Sequence, residues 1–141
     1  MRFKVKKALY PHGTNNDSWQ PMNLIVDDDI PCTEINRHLV LLQISKEKPL
    51  TTSVYYLCIY LNYLDEHGLE VMDVKMSDIQ DFLQELYIDS LPYAGKGAPC
   101  SYSAIQDYIE VLSKLYDNLS LRGYKMDESL YTRSQLSLIH I

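Results

Sequence analysis

Histidine and cysteine are the side chains that most often ligate transition metals, and neither type shows ligand spacing in this chain. Seven residues are of these types: His12, His38, His67, His140, Cys32, Cys58 and Cys100. No two histidines stand four residues apart, as a helical ligand pair requires, and no cysteine lies two residues from another. An odd number of distant cysteines also fits no disulfide framework. We therefore expect no metal site, and a reducing compartment as the setting.

Other constellations that support catalysis or cofactor binding are also missing from the sequence. The run Gly95-Lys96-Gly97 is too short to cradle a nucleotide phosphate, and the run Asp27 to Asp29 is more typical of a solvated turn than of a magnesium site. The twelve tyrosines would need cationic partners to act as nucleophiles, because a phenol has a pKa near ~10. None of the four arginines stands in a His-x-x-Arg spacing. We expect no catalysis by this chain alone, no cofactor and no small-molecule substrate.

Phosphate binding is the chemistry that the sequence supports. Lys46 and Lys48 precede a helix predicted to start at Thr51 or Thr52, and Lys96 precedes another predicted helix. The first turn of a helix presents unpaired amides and the positive end of the dipole, so lysines and hydroxyls at such a start favour an anion. The polar side of the second of these helices adds three residues: Ser103, Gln106 and Lys114. From the residues alone, ordinary helix caps with scattered surface lysines stay open as the alternative.

Composition sets the size of the scaffold that must position these residues. The chain has 141 residues, of which 46% are hydrophobic, enough for one compact domain with its own core. The net charge of −6 argues against a protein that coats nucleic acid through bulk positive charge, although a local basic face is compatible with it. No stretch approaches the ~18 consecutive apolar residues of a membrane-spanning helix, and the basic start lacks the apolar core of a secretory signal. We expect a cytoplasmic protein without membrane contact.

Hydrophobic periodicity predicts a mainly α fold of four helices that follows a short β-hairpin over residues 2–27. The hairpin is indicated by loose alternation up to Tyr10, a dense run of turn formers, and the apolar segment from Asn23 to Val26. The first helix is predicted over about 32–44, and the second from Thr51 or Thr52 to a stop at Gly68. Because the second helix is apolar nearly all round, we expect it in the middle of a bundle.

The third and fourth helices are amphipathic. Ser77 is the predicted cap of the third helix, and its inward face is predicted to hold Ile79, Phe82, Leu83, Leu86 and Tyr87. Residues 90–99, rich in proline and glycine, predict an irregular connection. The fourth helix is predicted from a cap at Ser101 or Ser103 to Arg122-Gly123. Its inward face is predicted to hold Ile105, Tyr108, Ile109, Leu112, Leu115, Tyr116 and Leu119.

The stretch from Ser103 to Leu119, followed by Arg122-Gly123-Tyr124, resembles the last long helix of the core-binding domain in tyrosine recombinases, the family of phage and transposon integrases. That family typically shows Thr-Ile-x-x-Tyr-Leu at its start, and here Ala104 stands in place of the threonine. The stretch Leu50-Thr51-Thr52, which leads into the helix stopped at Gly68, is similar to the same family, with Ser53 where tyrosine is usual. The lead-in Val26 to Asp29 is a third similarity, and together they cover roughly residues 24–131.

This resemblance implies the four-helix orthogonal bundle of a SAM-like core-binding domain over residues 31–131, with an N-terminal extension over 1–30 and a tail or linker over 132–141. Such a domain clamps one side of a recombination-site duplex, and a separate C-terminal domain, not found in this sequence, cleaves the strands. Double-stranded DNA and other recombinase protomers are the implied partners, in a bacterial cytoplasm. In that family helices two and four lie against the major groove, which implies contacts from Thr51, Thr52, Tyr55, Lys96, Ser101, Tyr102, Ser103, Gln106 and Lys114. Lys46 and Lys48, identified above from the residues before helix two, complete the predicted DNA-binding set.

The charge around the third helix sets up a rival interpretation. Residues 51–92 hold a single basic residue, Lys75, against eight acidic ones. Such a surface repels phosphate, so on the recombinase interpretation it faces solvent or a neighbouring protomer. The rival is a helical protein-protein interaction module without DNA affinity, in which the tyrosines and this acidic face bind a partner.

Overall fold

The computed structural model describes residues 2–11, 19–88 and 100–124, over which the chain is mainly helical. Its strands are β1 (Phe3–Pro11), β2 (Trp19–Asp27) and β3 (Ile30–Pro31), and its helices are α1 (Thr33–Lys46), α2 (Thr52–Glu66), α3 (Met76–Ile88) and α4 (Tyr102–Leu121), with a short 3-10 helix at Val71–Asp73. The predicted mainly α fold with an N-terminal hairpin is therefore confirmed. None of the helices in the described ranges combines the length and apolar character that a bilayer span requires.

The chain divides into two compact units, and each is described by itself. The first, residues 1–58, contains the sheet, α1 and the first half of α2, and we call it the sheet unit. The second, residues 59–141, contains the rest of α2 with α3 and α4, and we call it the aromatic unit. The boundary falls within α2, which begins in one unit and ends in the other.

The sheet is a three-stranded antiparallel meander with the order β1-β2-β3. β1 and β2 pair from Phe3 opposite Asp27 to Pro11 opposite Trp19. β3, which the sequence analysis did not predict, adds two residues after a tight turn at Asp28 and Asp29, both at positive φ (48° and 67°). Two central residues at positive φ are typical of two-residue hairpin loops, and aspartate tolerates them. Asp28 and Asp29 thus form a turn, as the composition of the run indicated, whereas Asp27 is the last residue of β2.

Two buried amides on α1 replace a neighbouring strand along the outer edge of β2. The Asn36 side chain accepts from the Ile25 amide and donates to the Ile25 carbonyl, both at 2.9 Å. Two turns later, Gln43 does the same for Asn23, at 3.0 Å in each direction. A primary amide carries both a donor and an acceptor, so it reproduces the pair of bonds that a strand residue makes. α1 thereby covers an edge that would otherwise leave buried backbone groups unpaired.

The aromatic unit is organised around Phe82 of α3, which is fully buried. Its ring lies 5.2 Å from that of Tyr60, 4.9 Å from that of Tyr63 and 5.7 Å from that of Tyr108, centroid to centroid. These tilted and edge-to-face arrangements are the ones that aromatic pairs prefer. The Tyr60 hydroxyl lies 2.6 Å from that of Tyr116, which in turn donates to the Val71 carbonyl at 3.0 Å. All the residues predicted for the inward face of α4 are buried.

Two predictions about α3 are wrong. Ser77 is not its cap, because α3 begins at Met76 and the carboxylate of Asp78 accepts from the Lys75 amide at 2.8 Å. An acidic side chain that reaches back to the amide before the helix satisfies the start without a serine. Tyr87 is 41% exposed rather than inward: it lies in the last turn of α3, next to Ile88, which is 65% exposed, so burial of the apolar face ends at Leu86. The predicted glycine stops of α2 and α4 are confirmed, with Gly68 and Gly123 at positive φ.

Candidate nucleic-acid interface

The start of α2 presents the predicted lysines and hydroxyls to solvent. Lys46, Lys48, Thr51 and Thr52 are exposed, and the Tyr55 side chain is 51% exposed one turn into the helix. The first turn of α2 contains no acidic residue. No carboxylate of this turn therefore competes with an anion for the free amides at its start.

The loop that carries these residues is fixed by the amide network of the sheet unit. The Leu50 amide donates to the Gln43 side chain at 3.0 Å, and the Asn23 side chain donates to the Leu50 carbonyl at 2.8 Å. The Lys48 amide donates to the Gln43 carbonyl at 3.3 Å after Glu47 takes a left-handed conformation. These three hydrogen bonds hold the segment between α1 and α2. The position of the α2 start is set before any ligand binds, which lowers the entropic cost of binding.

The start of α4 is capped as predicted at the first of two candidate serines. The Ser101 hydroxyl accepts from the Ala104 amide at 3.1 Å, and the Cys100 amide donates to the Leu86 carbonyl at 2.7 Å. Ser101 therefore has a structural role as an N-cap, and its hydroxyl proton is left to donate to a ligand. Tyr102 follows it with 62% of its side chain exposed.

The exposed side of α4 carries two acidic residues that the sequence analysis did not weigh against its cations. Ser103, Gln106 and Lys114 are exposed as predicted, but Asp107 is exposed beside them. The Lys114 ammonium lies 3.2 Å from the Glu110 carboxylate, four residues earlier on the helix. This i, i+4 spacing is readable from the sequence and predicts such a pair. Because pairs of this kind are worth only about 0.3–0.5 kcal/mol, Lys114 can exchange its partner for a phosphate.

The structure groups the predicted contact residues by unit. Lys46, Lys48, Thr51, Thr52 and Tyr55 come together in the sheet unit, around one helix start. Ser101, Tyr102, Ser103, Gln106 and Lys114 come together along α4 in the aromatic unit. Lys96 lies outside the described residues. The prediction that both helix starts face one duplex stays a prediction.

α3 and the end of α2 form an acidic surface with a shallow pocket of about 310 Å³, which we call the acidic pocket. Its lining residues are Tyr63, His67, Asp81, Gln84, Glu85 and Ile88. The His67 ring stacks on that of Tyr63 at 4.0 Å between centroids. Burial, together with the nearby carboxylates of Glu85 and Asp81, raises the pKa of Tyr63 to about 12. Carboxylates beside aromatic rings favour a cation over a phosphate, as the charge of this segment indicated.

Comparison with known proteins adds no assignment to these surfaces: no family model, no curated protein and no solved structure matches this chain. Within the described ranges, no group of three or more His, Cys, Asp or Glu side chains is placed to hold a metal ion.

Proposed function

We propose that this chain is a duplex-DNA-binding module of the kind that serves as the core-binding domain of tyrosine recombinases. The observation that carries the proposal is the start of α2, where exposed lysines and threonines surround helix amides that no acidic residue of the first turn occupies. The sequence resemblance supports the same function from a separate direction. The orthogonal packing of the four helices belongs to this proposal.

The distribution of charge supports a DNA-binding role for the sheet unit despite the net charge of the chain. Residues 1–58 contain seven basic and six acidic residues, whereas residues 59–141 contain six basic and thirteen acidic ones. The excess of negative charge therefore lies in the aromatic unit.

The two helix starts contribute differently in this proposal. At α2, the ammonium groups of Lys46 and Lys48 and the hydroxyls of Thr51 and Thr52 bind phosphate oxygens. At α4, Tyr102, Ser103 and Gln106 donate hydrogen bonds, while Asp107 and Glu110 offset the charge of Lys114. Contacts of this kind position a protein on the duplex and read few bases. Strand cleavage would come from a catalytic domain outside this sequence, acting with other protomers.

The salt dependence of duplex binding tests the proposal. Fluorescence anisotropy with a labelled duplex of arbitrary sequence, between ~50 and ~200 mM salt, should give a steep fall in affinity. The double variant Lys46→Ala, Lys48→Ala should reduce the slope of log K against log salt by about 1.8, since each lost phosphate contact removes about 0.9. Lys6→Ala, Lys7→Ala is the matched control, because it removes two exposed lysines from β1 and should leave the slope unchanged. Equal effects of both variants would contradict the α2 site.

A second variant separates loss of binding from loss of folding. Thr52→Asp places a carboxylate in the first turn of α2, where it repels a phosphate but interacts favourably with the helix dipole. We expect weaker duplex binding with unchanged or slightly raised thermal stability. Binding that persists at wild-type strength in this variant would show that phosphate does not contact the α2 start.

The acidic pocket favours a second candidate function, a protein-protein interaction module that binds a basic side chain of its partner. Tyr63 and His67 supply stacked rings, and Asp81 and Glu85 supply carboxylates, the combination that binds a guanidinium or ammonium group. Failure to bind any duplex at ~50 mM salt, together with binding of arginine-containing peptides that Asp81→Asn, Glu85→Gln abolishes, would favour this function over DNA binding.

A further inference from the structure

The outer edges of β1 and β2 differ in whether their backbone groups have hydrogen-bond partners. The outer edge of β2 is covered, because the amide and carbonyl of Ile25 bond to Asn36 and those of Asn23 bond to Gln43. The outer edge of β1 is the other end of the strand order. Its backbone groups therefore decide whether the sheet can accept another strand.

The register identifies which backbone groups of β1 point away from the sheet. Val5 lies opposite Ile25 and Lys7 lies opposite Asn23. In an antiparallel ladder, opposite residues either exchange both hydrogen bonds or neither, in alternation. Since Ile25 and Asn23 direct their groups towards α1, Val5 and Lys7 direct theirs away from β2, and so does Leu9 by the period of two. Within the described ranges no other backbone bonds to Val5, Lys7 or Leu9. The Phe3 carbonyl, next on the same edge, accepts from the Cys58 thiol of α2 at 3.3 Å, so the free part of the edge runs from Val5 to Leu9.

The side chains along this edge carry positive charge without compensation. Lys4, Lys6 and Lys7 are exposed, and none of them forms an ion pair with a described residue. Of the carboxylates at that end of the hairpin, Asp27 is already held by two nitrogens of the Arg2 guanidinium at 2.9 and 2.7 Å, and neither Asp28 nor Asp29 forms an ion pair with a described lysine. This hydrogen bonding to Arg2 lowers the pKa of Asp27, so that carboxylate stays ionised and paired.

The free groups and the charge together select an occupant. A phosphate accepts hydrogen bonds but cannot donate to the free carbonyls, whereas an extended peptide does both. A second copy of β1 is disfavoured, because antiparallel pairings centred on Val5, Lys6 or Lys7 each set lysines opposite one another, and like charges in that position are destabilising. An acidic peptide satisfies both requirements.

We propose that the free edge of β1 binds an extended acidic segment of a partner protein as a fourth strand. The main-chain bonds at Val5 and Lys7 supply affinity, and acidic side chains opposite Lys4 and Lys6 supply specificity, as in other cases of strand addition to a sheet edge. Leu9, 66% exposed at the far end of the strand, would contact an apolar residue of the same segment.

Backbone methylation of a probe peptide tests whether main-chain pairing takes place. The full chain is titrated with a short, end-blocked peptide of alternating Glu and Val, and with the same peptide N-methylated at every second amide. We expect saturable binding that is weaker by about tenfold or more for the peptide methylated on the pairing edge, since losing one or two hydrogen bonds has this effect. Equal affinities for the two peptides would mean charge attraction alone and would overturn the proposal.

Two substitutions at Lys7 provide matched variants. Lys7→Pro removes the outward amide and no bond to β2, a position at which an edge strand tolerates proline. Lys7→Ala removes the charge and keeps the amide. We expect Lys7→Pro to abolish binding of the Glu-Val peptide and Lys7→Ala to weaken it only a few-fold. Similar affinities for both variants would contradict strand addition.

Hydrogen exchange on the unmodified chain keeps the proposal testable if Lys7→Pro fails to fold. The amides of Val5, Lys7 and Leu9 should exchange more slowly once the Glu-Val peptide is bound, while the amides of α3 should not change. Unchanged exchange at all three amides would overturn the proposal. So would protection of the same amides by duplex DNA without peptide, or a concentration-dependent dimer of the chain, since each identifies a different occupant.

Discussion

The sheet unit and the aromatic unit bury polar groups by different means. In the sheet unit, the fully buried Gln43 bonds through its side-chain amide to two backbone groups of Asn23 and one of Leu50, and Asn36 bonds to two of Ile25. In the aromatic unit, the hydroxyls of Tyr60 and Tyr116 bond to each other and then to the Val71 carbonyl, and the buried Ser113 hydroxyl donates to the Glu110 carbonyl. The sheet unit thus secures a strand edge through side-chain amides, whereas packed rings and hydroxyl groups are prominent in the aromatic unit.

This difference determines which changes each unit tolerates. A primary amide donates and accepts at once and does not ionise near neutral or alkaline pH, so the amide network of the sheet unit is sensitive to isosteric apolar substitution and insensitive to alkali. A tyrosine carries one proton, which it loses at alkaline pH, and its ring retains most of the packing when the hydroxyl is removed. The aromatic unit is therefore sensitive to alkali and less sensitive to loss of a hydroxyl.

The largest effect should come from Gln43→Leu in the sheet unit. The substitution keeps a similar volume but leaves the amide and carbonyl of Asn23 and the amide of Leu50 without their partner. Each buried group left unpaired costs about 1–3 kcal/mol, so we expect the free energy of unfolding to fall by about 3–5 kcal/mol. Urea unfolding followed by circular dichroism measures it.

Two further substitutions in α1 serve as comparisons for Gln43→Leu: Asn36→Leu, with a smaller expected loss of stability, and Leu41→Ala, an exposed control. Asn36→Leu should cost less than Gln43→Leu, because it affects only Ile25, whose carbonyl also accepts from the Cys32 amide at 3.1 Å. Leu41 is 57% exposed on the same helix, and its truncation should change stability by no more than about 0.5 kcal/mol. If Gln43→Leu resembles Leu41→Ala, the amide network is not what holds α1 on the strand edge.

Alkaline pH should destabilise the aromatic unit next. Burial raises the pKa of Tyr60 and of Tyr116 above the usual value near ~10. The unfolded chain then releases these protons first, so the stability they contribute is full below pH ~10 and is lost as pH rises towards the folded-state values. Each tyrosine that stays protonated while folded should lower the free energy of unfolding by about 1.4 kcal/mol per pH unit.

Urea unfolding at pH 9, 10 and 11 checks this slope, with Tyr60→Phe, Tyr116→Phe as the matched control. The double variant lacks Tyr60 and Tyr116 but keeps Tyr63, whose pKa is also raised, so it should show a shallower but not a vanishing loss of stability with pH. A tyrosinate absorbance that rises near pH 10 for every tyrosine while the fold remains intact would contradict the burial of these hydroxyls.

The parts of the fold that depend on local periodicity were predictable from the sequence. The inward face of α4, from Ile105 to Leu119, follows from spacings of three and four residues and is buried as predicted. The failures needed long-range information. Tyr87 fits the apolar spacing of α3, but this spacing does not show how much of the helix is packed against other elements. The hydrogen bonds between Gln43 and Asn23 join positions 20 residues apart, so no local sequence pattern predicts them.

The candidate site shows the same division. The lysines and hydroxyls before α2 were found because a helix start is a local signal, and the Lys114–Glu110 pair has a spacing that the sequence displays. The anchoring of Leu50 by Gln43 and Asn23, which fixes where those lysines lie, depends on the tertiary fold. Sequence therefore indicates which residues carry phosphate chemistry, and tertiary contacts indicate how rigidly they are held.

The smallest effect should be a difference between two single substitutions in the aromatic unit. The Val71 carbonyl can only accept a hydrogen bond, so the Tyr116 hydroxyl donates its single proton to that carbonyl. The Tyr60 hydroxyl must therefore be the donor in its 2.6 Å contact with the Tyr116 oxygen. Tyr116→Phe then leaves two groups unpaired, whereas Tyr60→Phe leaves only an acceptor lone pair of Tyr116. We expect Tyr116→Phe to lower the free energy of unfolding by about 1–3 kcal/mol, and Tyr60→Phe by about 1 kcal/mol less. Urea unfolding of both variants and of the double variant measures the two costs and their coupling. A larger loss of stability for Tyr60→Phe than for Tyr116→Phe would contradict donation from Tyr60 to Tyr116 and from Tyr116 to the Val71 carbonyl.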